Sequence, residues 1–472
     1  MAVAVGGTFT LVVNEKAQVY ACGTNRVGQL GIGTADETDQ FERIENKVDH
    51  TPGFNGEHVV MVAAGRRHSA CVTEEGSVWT WGNCHNGRLG TIGFFDGYEH
   101  RFRPDRLNRD FFGRSRARMV ACGERFTMVL TVDGRVWNCG DNECGQLGHD
   151  DCDDRMVLTR IDPIHFGASP VTMIAAGWNH SLAQVAGSGA LYTWGSNRVG
   201  QLGHSAAEGV VKLPTALPAA TFGGLGVASF AGGCEYSMVV TVAGLVYGAG
   251  WNQNGQLGIG NYTSSATFQL VGEANVNNFQ TEGIRTVSCG MWHTLFVSNN
   301  GILWGCGTGN YTRDPFGDPN APVDNVYPVP IYTDDSDREF KVVAAGMQHS
   351  AAITCSGQLY VWGINVCVTV NCNIVGPPDY HNYRDVFPTP QHMHPKAFAY
   401  TRLGRWHGMN AERAIAFMMS SHKMLGCISI VKNLDDDLLR MIIEQARFQP
   451  RADTGNALRT LIGFCNLHPP SL

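Results

Sequence analysis

Two short phrases recur seven times along the sequence, always in the same order. The later phrase is an apolar, aromatic-rich stretch that ends in glycine, such as VYACG, VWTWG or LYVWG, and its final glycines are spaced 55 to 59 residues apart. The earlier phrase has a glycine, then two variable residues, an aromatic or histidine residue and a hydroxyl residue, as in AAGRRHS and ACGERFT. Two phrases that stay in phase seven times define a repeat array, in which each unit packs on its neighbours.

Each phrase is predicted to be a β-strand. Apolar stretches flank turn dipeptides such as Glu75-Gly76 and Asp133-Gly134, which predicts hairpins. The glycine that ends the later phrase is followed in several repeats by the loop pattern G-x-N-x-x-G-Q-L-G, where asparagines such as Asn25 suit an Asx turn. A four-stranded unit of this length cannot bury both faces alone, whereas radial stacking with ring closure covers the faces and protects the edges.

The period and both phrases resemble the RCC1 (regulator of chromosome condensation) repeat family over about residues 1 to 400. This resemblance implies an all-β fold, a seven-bladed β-propeller, for residues 1–404. The array begins inside a repeat, and its end near Phe387 lacks the earlier phrase. We therefore expect residues 3–13 to supply the missing strands of the last blade. Residues 405–472 leave the repeat pattern and are predicted to form a small α-helical C-terminal extension.

Composition excludes several classes of protein. A charged fraction of 16% and a net charge of −7 give no general reason to expect nucleic-acid binding, and the sequence has no apolar run of membrane-spanning length. Its 15 cysteines reuse the same strand position, as at Cys22, Cys139 and Cys306, which indicates small buried thiols. We therefore expect reduced cysteines and a nuclear or cytoplasmic protein that is not secreted. Phosphate-loop, dinucleotide and zinc-protease motifs are missing from the sequence, so no cofactor and no metal are expected.

The recurrent histidines are predicted to be structural. His68, His180, His293 and His349 stand where the other repeats have Phe9, Phe126 and Tyr236. A general base or a metal ligand cannot be replaced by phenylalanine, whereas a packing residue can. The next residue is a hydroxyl in all seven repeats, which predicts a repeated structural hydrogen bond. Neighbouring strand residues also face opposite sides of a sheet, so histidine and hydroxyl cannot form a nucleophile–base pair.

An arginine-rich segment interrupts the second repeat. It is a candidate partner-binding surface for phosphate, chromatin or nucleic acid, or for an acidic protein surface. The alternative is a loop whose arginines are solvated or pair with neighbouring blades. The candidate residues are Arg101, Arg103, Arg106, Arg109, Phe111, Phe112, Arg114, Arg116 and Arg118.

The C-terminal extension contains a second candidate interaction site. Asn433 suits the N-cap of a helix, and the three following aspartates suit its first turn. The apolar stripe of that helix would consist of Leu434, Leu438, Leu439, Ile442 and Ile443. The segment weakly resembles the start of an F-box, which would imply a ubiquitin-ligase adaptor. The alternative is a helical cap packed on the propeller.

The resemblance to RCC1 proteins also implies nucleotide exchange on a Ran-type small GTPase, with chromatin docking. The exchange factor carries acidic residues at positions that hold Asn25, Asn179 and Ser229 here, whereas a matching histidine is kept as His293. In the exchange factor, the loop of the third repeat is extended into a hairpin that displaces the nucleotide from the GTPase. In this sequence that loop has ordinary length. We therefore expect a non-catalytic scaffold that binds other proteins, within a larger assembly and without a membrane partner. An exchange factor and a ligase adaptor are the alternatives.

Overall fold

The computed structural model describes residues 1–45, 54–91, 100–205, 209–272, 279–308, 324–331, 339–364 and 386–393. These residues form seven four-stranded antiparallel sheets, each built from four consecutive strands, so the predicted seven-bladed β-propeller is confirmed. The first three blades contain β1 (Ala2–Val5), β2 (Phe9–Val13), β3 (Val19–Gly23), β4 (Thr38–Arg43); β5 (Val59–Ala64), β6 (His68–Thr73), β7 (Val78–Asn83), β8 (His100–Arg106); β9 (Ala117–Cys122), β10 (Phe126–Thr131), β11 (Val136–Gly140) and β12 (Arg155–Arg160).

The remaining four blades follow the same plan. Blades four and five contain β13 (Val171–Ala176), β14 (His180–Val185), β15 (Leu191–Ser196), β16 (Val210–Ala216); β17 (Val227–Gly232), β18 (Tyr236–Thr241), β19 (Val246–Gly250) and β20 (Ser265–Leu270). Blades six and seven contain β21 (Ile284–Cys289), β22 (His293–Ser298), β23 (Leu303–Thr308), β24 (Asp324–Pro330); β25 (Phe340–Ala345), β26 (His349–Thr354), β27 (Leu359–Ile364) and β28 (Val386–Met393). Short 3-10 turns lie at His85–Gly87, Arg109–Phe112, Pro163–Phe166 and Ala219–Phe222.

The inner strands of successive blades contact one another around the ring, and β1 closes it against β25 and β26. The expectation that residues 3–13 complete the last blade is wrong. Strands β1 and β2 pair with β3 and β4 in the first blade, while β28 supplies the fourth strand of the last blade. The ring therefore closes by packing between two complete blades.

The prolines of the last segment fit its place as an outer strand. The segment 386–393 contains Pro388 and Pro390, which argues against a central strand. In the structure it is the outermost strand, where one edge needs no hydrogen-bond donors, so proline is tolerated. Pro104 in β8 and Pro214 in β16 occupy outer strands of other blades in the same way.

The core lies between adjacent blades. The single leucines of the repeated third-to-fourth-strand loop are all buried: Leu30, Leu89, Leu147, Leu202 and Leu257. In several blades a tryptophan also ties one blade to the loop of the preceding blade: the indole N–H of Trp194 donates to the carbonyl of Gln146 at 2.9 Å. Phe166 packs edge-on against that tryptophan, at 5.8 Å between ring centroids. These seams therefore combine apolar burial with a directional bond that fixes blade register.

The repeated loop between the third and fourth strands is held by its asparagine and glutamine. In the first blade, Asn25 accepts a hydrogen bond from the Leu30 amide at 2.9 Å and donates to two loop carbonyls. Gln29 accepts from the Val27 amide at 3.1 Å and donates to the Thr24 hydroxyl at 3.1 Å. Both side chains are buried, so their amide groups form the internal scaffold of the loop.

The chain divides into two units, residues 1–399 and 400–472. The predicted helical extension, with Leu434 to Ile443 as its apolar stripe, lies outside the described residues. Within the described ranges, no helix has the length and apolar character needed to span a bilayer.

Candidate binding face

The glycines of the earlier phrase form a ring of turns around the propeller axis. In most blades, the residue after this glycine donates its backbone N–H to the next blade. Met291 donates to the Gly346 carbonyl at 3.1 Å, and Met347 donates to the Gly6 carbonyl at 3.4 Å, across the closure of the ring. We call the propeller face that carries these turns the glycine face. The third-to-fourth-strand loops emerge on the same face, because the strands of each blade alternate in direction.

These glycines permit close approach between blades. A Cβ atom at Gly290 would lie 2.5 Å from the Gly346 carbonyl oxygen and 2.5 Å from Cε1 of His293. Neither contact is possible for a real side chain, so the turn requires glycine at this position. The repeated glycine is therefore explained by packing between blades, without a ligand.

The recurrent histidines link adjacent blades. His180 Nε2 lies 2.9 Å from the Ser237 hydroxyl of the next blade, and that hydroxyl donates to the Gln201 carbonyl at 2.7 Å. Because the hydroxyl proton is used there, the imidazole N–H donates to Ser237. His68 and Thr127 make the same contact at 3.0 Å, and Thr127 donates to the Arg88 carbonyl at 2.7 Å.

The predicted structural hydrogen bond is thus confirmed at these seams. His293 and His349 make the equivalent contacts to Ser350 and Thr10. Burial lowers the pKa of His68 and His293 to about 3 and that of His180 and His349 to about 4. Buried, neutral imidazoles that face inter-blade hydroxyls have no access to a substrate.

The residues compared with the exchange factor are spread over four blades. Asn25 is buried inside its loop, and His293 is buried beneath the glycine turns. Ser229 pairs with Val240 within the sheet of the fifth blade. Asn179 lies on the glycine face and is partly exposed, with its carbonyl accepting from the Ser196 amide at 2.8 Å. Of these four residues, Asn25 and His293 are buried, whereas Asn179 on the glycine face and Ser229 on an inner strand are partly exposed.

The arginine-rich segment runs from the outer strand of the second blade to the inner strand of the third. Its arginines make several internal contacts. Arg101 pairs with Asp105, Arg106 with Glu57 and Arg114 with Asp110, while Arg109 and Arg116 both donate to the Glu75 carbonyl.

The aromatic residues of this segment are also used internally. Phe112 is fully buried between the second and third blades, and Phe111 packs against the same cluster. The contacts therefore support the alternative in which the segment joins neighbouring blades. The side chains of Arg103 and Arg118 remain exposed, and partner binding by the segment stays a prediction.

The centre of the glycine face is a cavity of about 110 Å³. Small residues such as Ala64 and Cys122 line its wall, and the side chains that follow the ring glycines lie at its mouth. Arg66 donates to Glu124 at 2.5 Å, and its guanidinium lies 5.9 Å from the ring centre of Trp178. Three consecutive blades thus meet in one cluster of a cation, a carboxylate and an aromatic ring.

The mouth has two chemically different sides. In the second and third blades both variable positions are charged, with Arg66 and Arg67 followed by Glu124 and Arg125. In the later blades these positions are largely apolar or aromatic, and partly exposed. They hold Trp178, Cys234, Met291, Trp292 and Met347, together with the polar Asn179 and Gln348 and the charged Glu235. Sequence reasoning missed this set, although its signal was present as the two positions that differ in every copy of an otherwise constant phrase.

Thiol chemistry at the cavity is disfavoured. Burial raises the pKa of Cys122 to about 12 and that of Cys289 well above its ordinary value, so both thiols stay protonated. Cys71, Cys139 and Cys306 are free thiols, and the expectation of reduced cysteines over the whole chain stays a prediction. Among the described residues, no cluster of histidine, cysteine and acidic side chains could hold a metal ion.

Comparison with known proteins places these features in a family. The sequence profile of the RCC1-like domain matches residues 1–310, and that of the RCC1 repeat matches residues 340–367. The ultraviolet-B receptor UVR8 of Arabidopsis thaliana is 33% identical over 311 residues, which are 65% of this chain and 65% of that protein. The secretion-regulating guanine nucleotide exchange factor of Bos taurus is 31% identical over 306 residues, 63% of this chain and 61% of that protein.

A solved structure shows the same fold. Prp20p of Saccharomyces cerevisiae, which was studied for its binding to Gsp1p and histones, superimposes with a TM-score of 0.65 at 21% identity, over 83% of this chain and 88% of that one. The chain spans less than two thirds of the two curated relatives described above. On the domain match, which covers most of its length, this chain belongs to the family of RCC1-like β-propeller proteins.

Proposed function

We propose that this chain is a protein-binding module that recognises its partner with the glycine face. One observation supports this most directly. The seven repeats keep the glycine, the histidine or aromatic residue and the hydroxyl that build the seams, but differ from one another at the two positions between them. The first of these positions lines the axial cavity in six of the seven blades, where a partner can contact it without disturbing the seams.

The residue types at these positions suit protein recognition. Tryptophan, methionine and arginine are enriched in the centres of protein interfaces, where they supply much of the binding energy. Trp178, Met291, Trp292 and Met347 are all partly exposed around the same opening. Because the recurrent histidines are buried and neutral, they supply no acid–base group to this face. The arrangement therefore favours binding over catalysis.

The test is affinity capture with the full-length chain and quantitative mass spectrometry. The variant Trp178→Ala/Met291→Ala removes two apolar anchors of the glycine face. The control Ile164→Ala/Val242→Ala removes two apolar side chains that are 65% and 68% exposed on the opposite face. We expect the first variant to lose specific interactors that the control keeps. Equal capture by both variants, with unchanged melting, would reject the proposal.

Nucleotide exchange on a Ran-type small GTPase is a second candidate. It is favoured by the bovine relative, which is named as an exchange factor, and by Prp20p, whose studied partners include Gsp1p. The buried state of Asn25 and His293 argues against transfer of that activity through these residues. Release of labelled GDP from a Ran-type GTPase, with and without this chain, decides between the two. Faster GDP release that is lost on substitution of Asn179 or Trp178 would establish nucleotide exchange. An unchanged rate of GDP release would reject this candidate function.

A further inference from the structure

The second blade departs from the others at one buried position of its loop. The first, third, fourth and fifth blades have glutamine there, as Gln29, Gln146, Gln201 and Gln256, whereas the second has Arg88. The glutamines complete the loop by hydrogen bonding to its backbone and polar side chains. A neutral amide therefore satisfies this position, and the fold does not require a cation there.

Arg88 is only 6% exposed. Its Nε donates to the His85 carbonyl at 2.8 Å, and Nη2 donates to Asn86 Oδ1 at 3.3 Å. Among the described residues, Nη1 has no hydrogen-bond partner and no carboxylate forms an ion pair with this guanidinium. A buried cation without a counter-ion is costly, because it loses hydration that neutral neighbours do not replace.

The surroundings of Arg88 strengthen this conclusion. Burial, and next the positive charge of Arg125, lower the pKa of Arg88 to about 10, although Asp141 and Glu124 act in the opposite direction. Glu124 is already bonded to Arg66, and Asp141 accepts from Gln146 at 2.7 Å. Both carboxylates belong to the third blade, and Glu124 is shared with Arg125 at 3.7 Å. The three arginines Arg66, Arg88 and Arg125 thus face two carboxylates, an excess of positive charge that an additional anionic group would stabilise.

This site lies beside the mouth of the axial cavity. Arg125 follows Glu124, which lines the cavity, and the Asp141 amide donates to the Arg125 carbonyl at 3.0 Å. The cavity itself has a wall of small side chains, and its volume of about 110 Å³ compares with the roughly 150 Å³ of an apolar cavity that admits benzene. The two arginines and a cavity of side-chain size therefore lie close together on the glycine face.

We propose that this pair of sites binds an acidic segment of the partner protein, with an aspartate or glutamate carboxylate on Arg88 and Arg125 and a neighbouring apolar side chain in the axial cavity. This inference rests on the proposed function and names the chemistry of its partner. Charge complementarity favours an acidic segment over a basic or uncharged one, because the exposed Arg67 on the same rim adds a further positive charge. A basic segment would bring like charges together, and an uncharged one would leave Arg88 without a counter-ion.

The test is selection from a phage library of random octapeptides on the full-length protein. In parallel, the library is selected on Arg88→Gln, which restores the residue of four other blades and should fold normally. The control is Arg135→Gln, on the opposite face, where the side chain is 46% exposed and paired with Asp133. We expect wild type and control to enrich peptides with an acidic residue next to leucine, methionine or phenylalanine.

Affinity is then measured by fluorescence anisotropy with the most enriched labelled peptide. A charge-assisted hydrogen bond contributes about 1.5–3 kcal/mol, so Arg88→Gln should weaken binding about ten- to hundredfold, and rising salt should weaken it as well. Enrichment of basic or uncharged peptides, lack of any enrichment, or equal affinity for wild type and Arg88→Gln would overturn the inference. The affinity-capture experiment with the Trp178→Ala/Met291→Ala variant tests the proposed function separately, because it does not depend on Arg88.

Discussion

Replacement of a seam histidine by phenylalanine should make the propeller less sensitive to acid. His180 is fully buried, and its Nε2–H donates to Ser237, while Nδ1 has no hydrogen-bond partner. Protonation would place a second N–H in this site without an acceptor. Phe9 and Phe126 fill the same position in the first and third blades, so His180→Phe introduces a side chain that this seam already accommodates elsewhere.

The magnitude follows from proton linkage. Burial lowers the pKa of His180 from 6.5 to about 4, so the unfolded chain binds more protons than the folded one between these values. The neutral His180 therefore does not lower the free energy of unfolding above pH 6.5, and this free energy decreases as the pH falls from 6.5 to about 4. Between pH 7 and pH 5, one such histidine costs about 1.9 kcal/mol of folding stability, and four would cost about 7.5 kcal/mol. Total folding free energies are only about 5–15 kcal/mol, so the seam histidines should dominate acid unfolding.

The assay is equilibrium urea unfolding of wild type and His180→Phe at pH 7, 6 and 5, followed by tryptophan fluorescence. At pH 7 the variant should be about 1 kcal/mol less stable, because it lacks one buried hydrogen bond. At pH 5 it should be about 1 kcal/mol more stable, because it has one fewer histidine to protonate on unfolding. The carboxylates are common to both proteins and cancel in the difference. A stability difference that does not change with pH would refute the reasoning.

Three further substitutions probe the seams and the arginine-rich segment by thermal and urea unfolding. Gly290→Ala should cost about 2–3 kcal/mol, because its Cβ would collide with the next blade's carbonyl oxygen; unchanged stability would show that the turn can widen. Thr10→Val should cost about 1–3 kcal/mol by leaving the buried His349 Nε2 unpaired at the ring closure, and Thr10→Ser should restore it. Arg106→Glu should cost about 1 kcal/mol by setting a second carboxylate beside Glu57, an effect that high salt should reduce.

The repeated features of the fold were predictable from sequence because each recurs at a constant spacing. The loop leucines, the structural role of the histidines and the inter-blade hydroxyl bonds all follow from comparing the seven copies. The position of the blade boundaries did not follow, since a circular array can be divided at any strand. The end of the array near Phe387 lacks the earlier phrase, so the last blade looked incomplete although β28 completes it.

The binding face was less predictable, since its elements come together only through the ring. Arg66, Glu124 and Trp178 are separated by more than 50 residues each, and their contacts depend on the curvature that places consecutive blades side by side. The arginine-rich segment gave a stronger sequence signal. Clustering in sequence, however, does not show which of its arginines are engaged in ion pairs and hydrogen bonds within the propeller. Arg88 is a single substitution for glutamine in a repeated loop. It becomes a candidate binding residue only because it is buried, which the sequence does not show.

The near-sevenfold symmetry of the propeller restricts where specificity can arise. A group that is repeated in every blade presents the same surface seven times, so it cannot by itself fix the orientation of an asymmetric partner. Orientation needs groups that break the symmetry. Five of the six charged ones at the variable positions and the loop position of Arg88 lie in adjacent blades, with Arg66, Arg67 and Arg88 in the second and Glu124 and Arg125 in the third, while Glu235 lies in the fifth. A partner should therefore approach off the axis over these two blades, with its acidic part there and its apolar part toward the fourth to seventh.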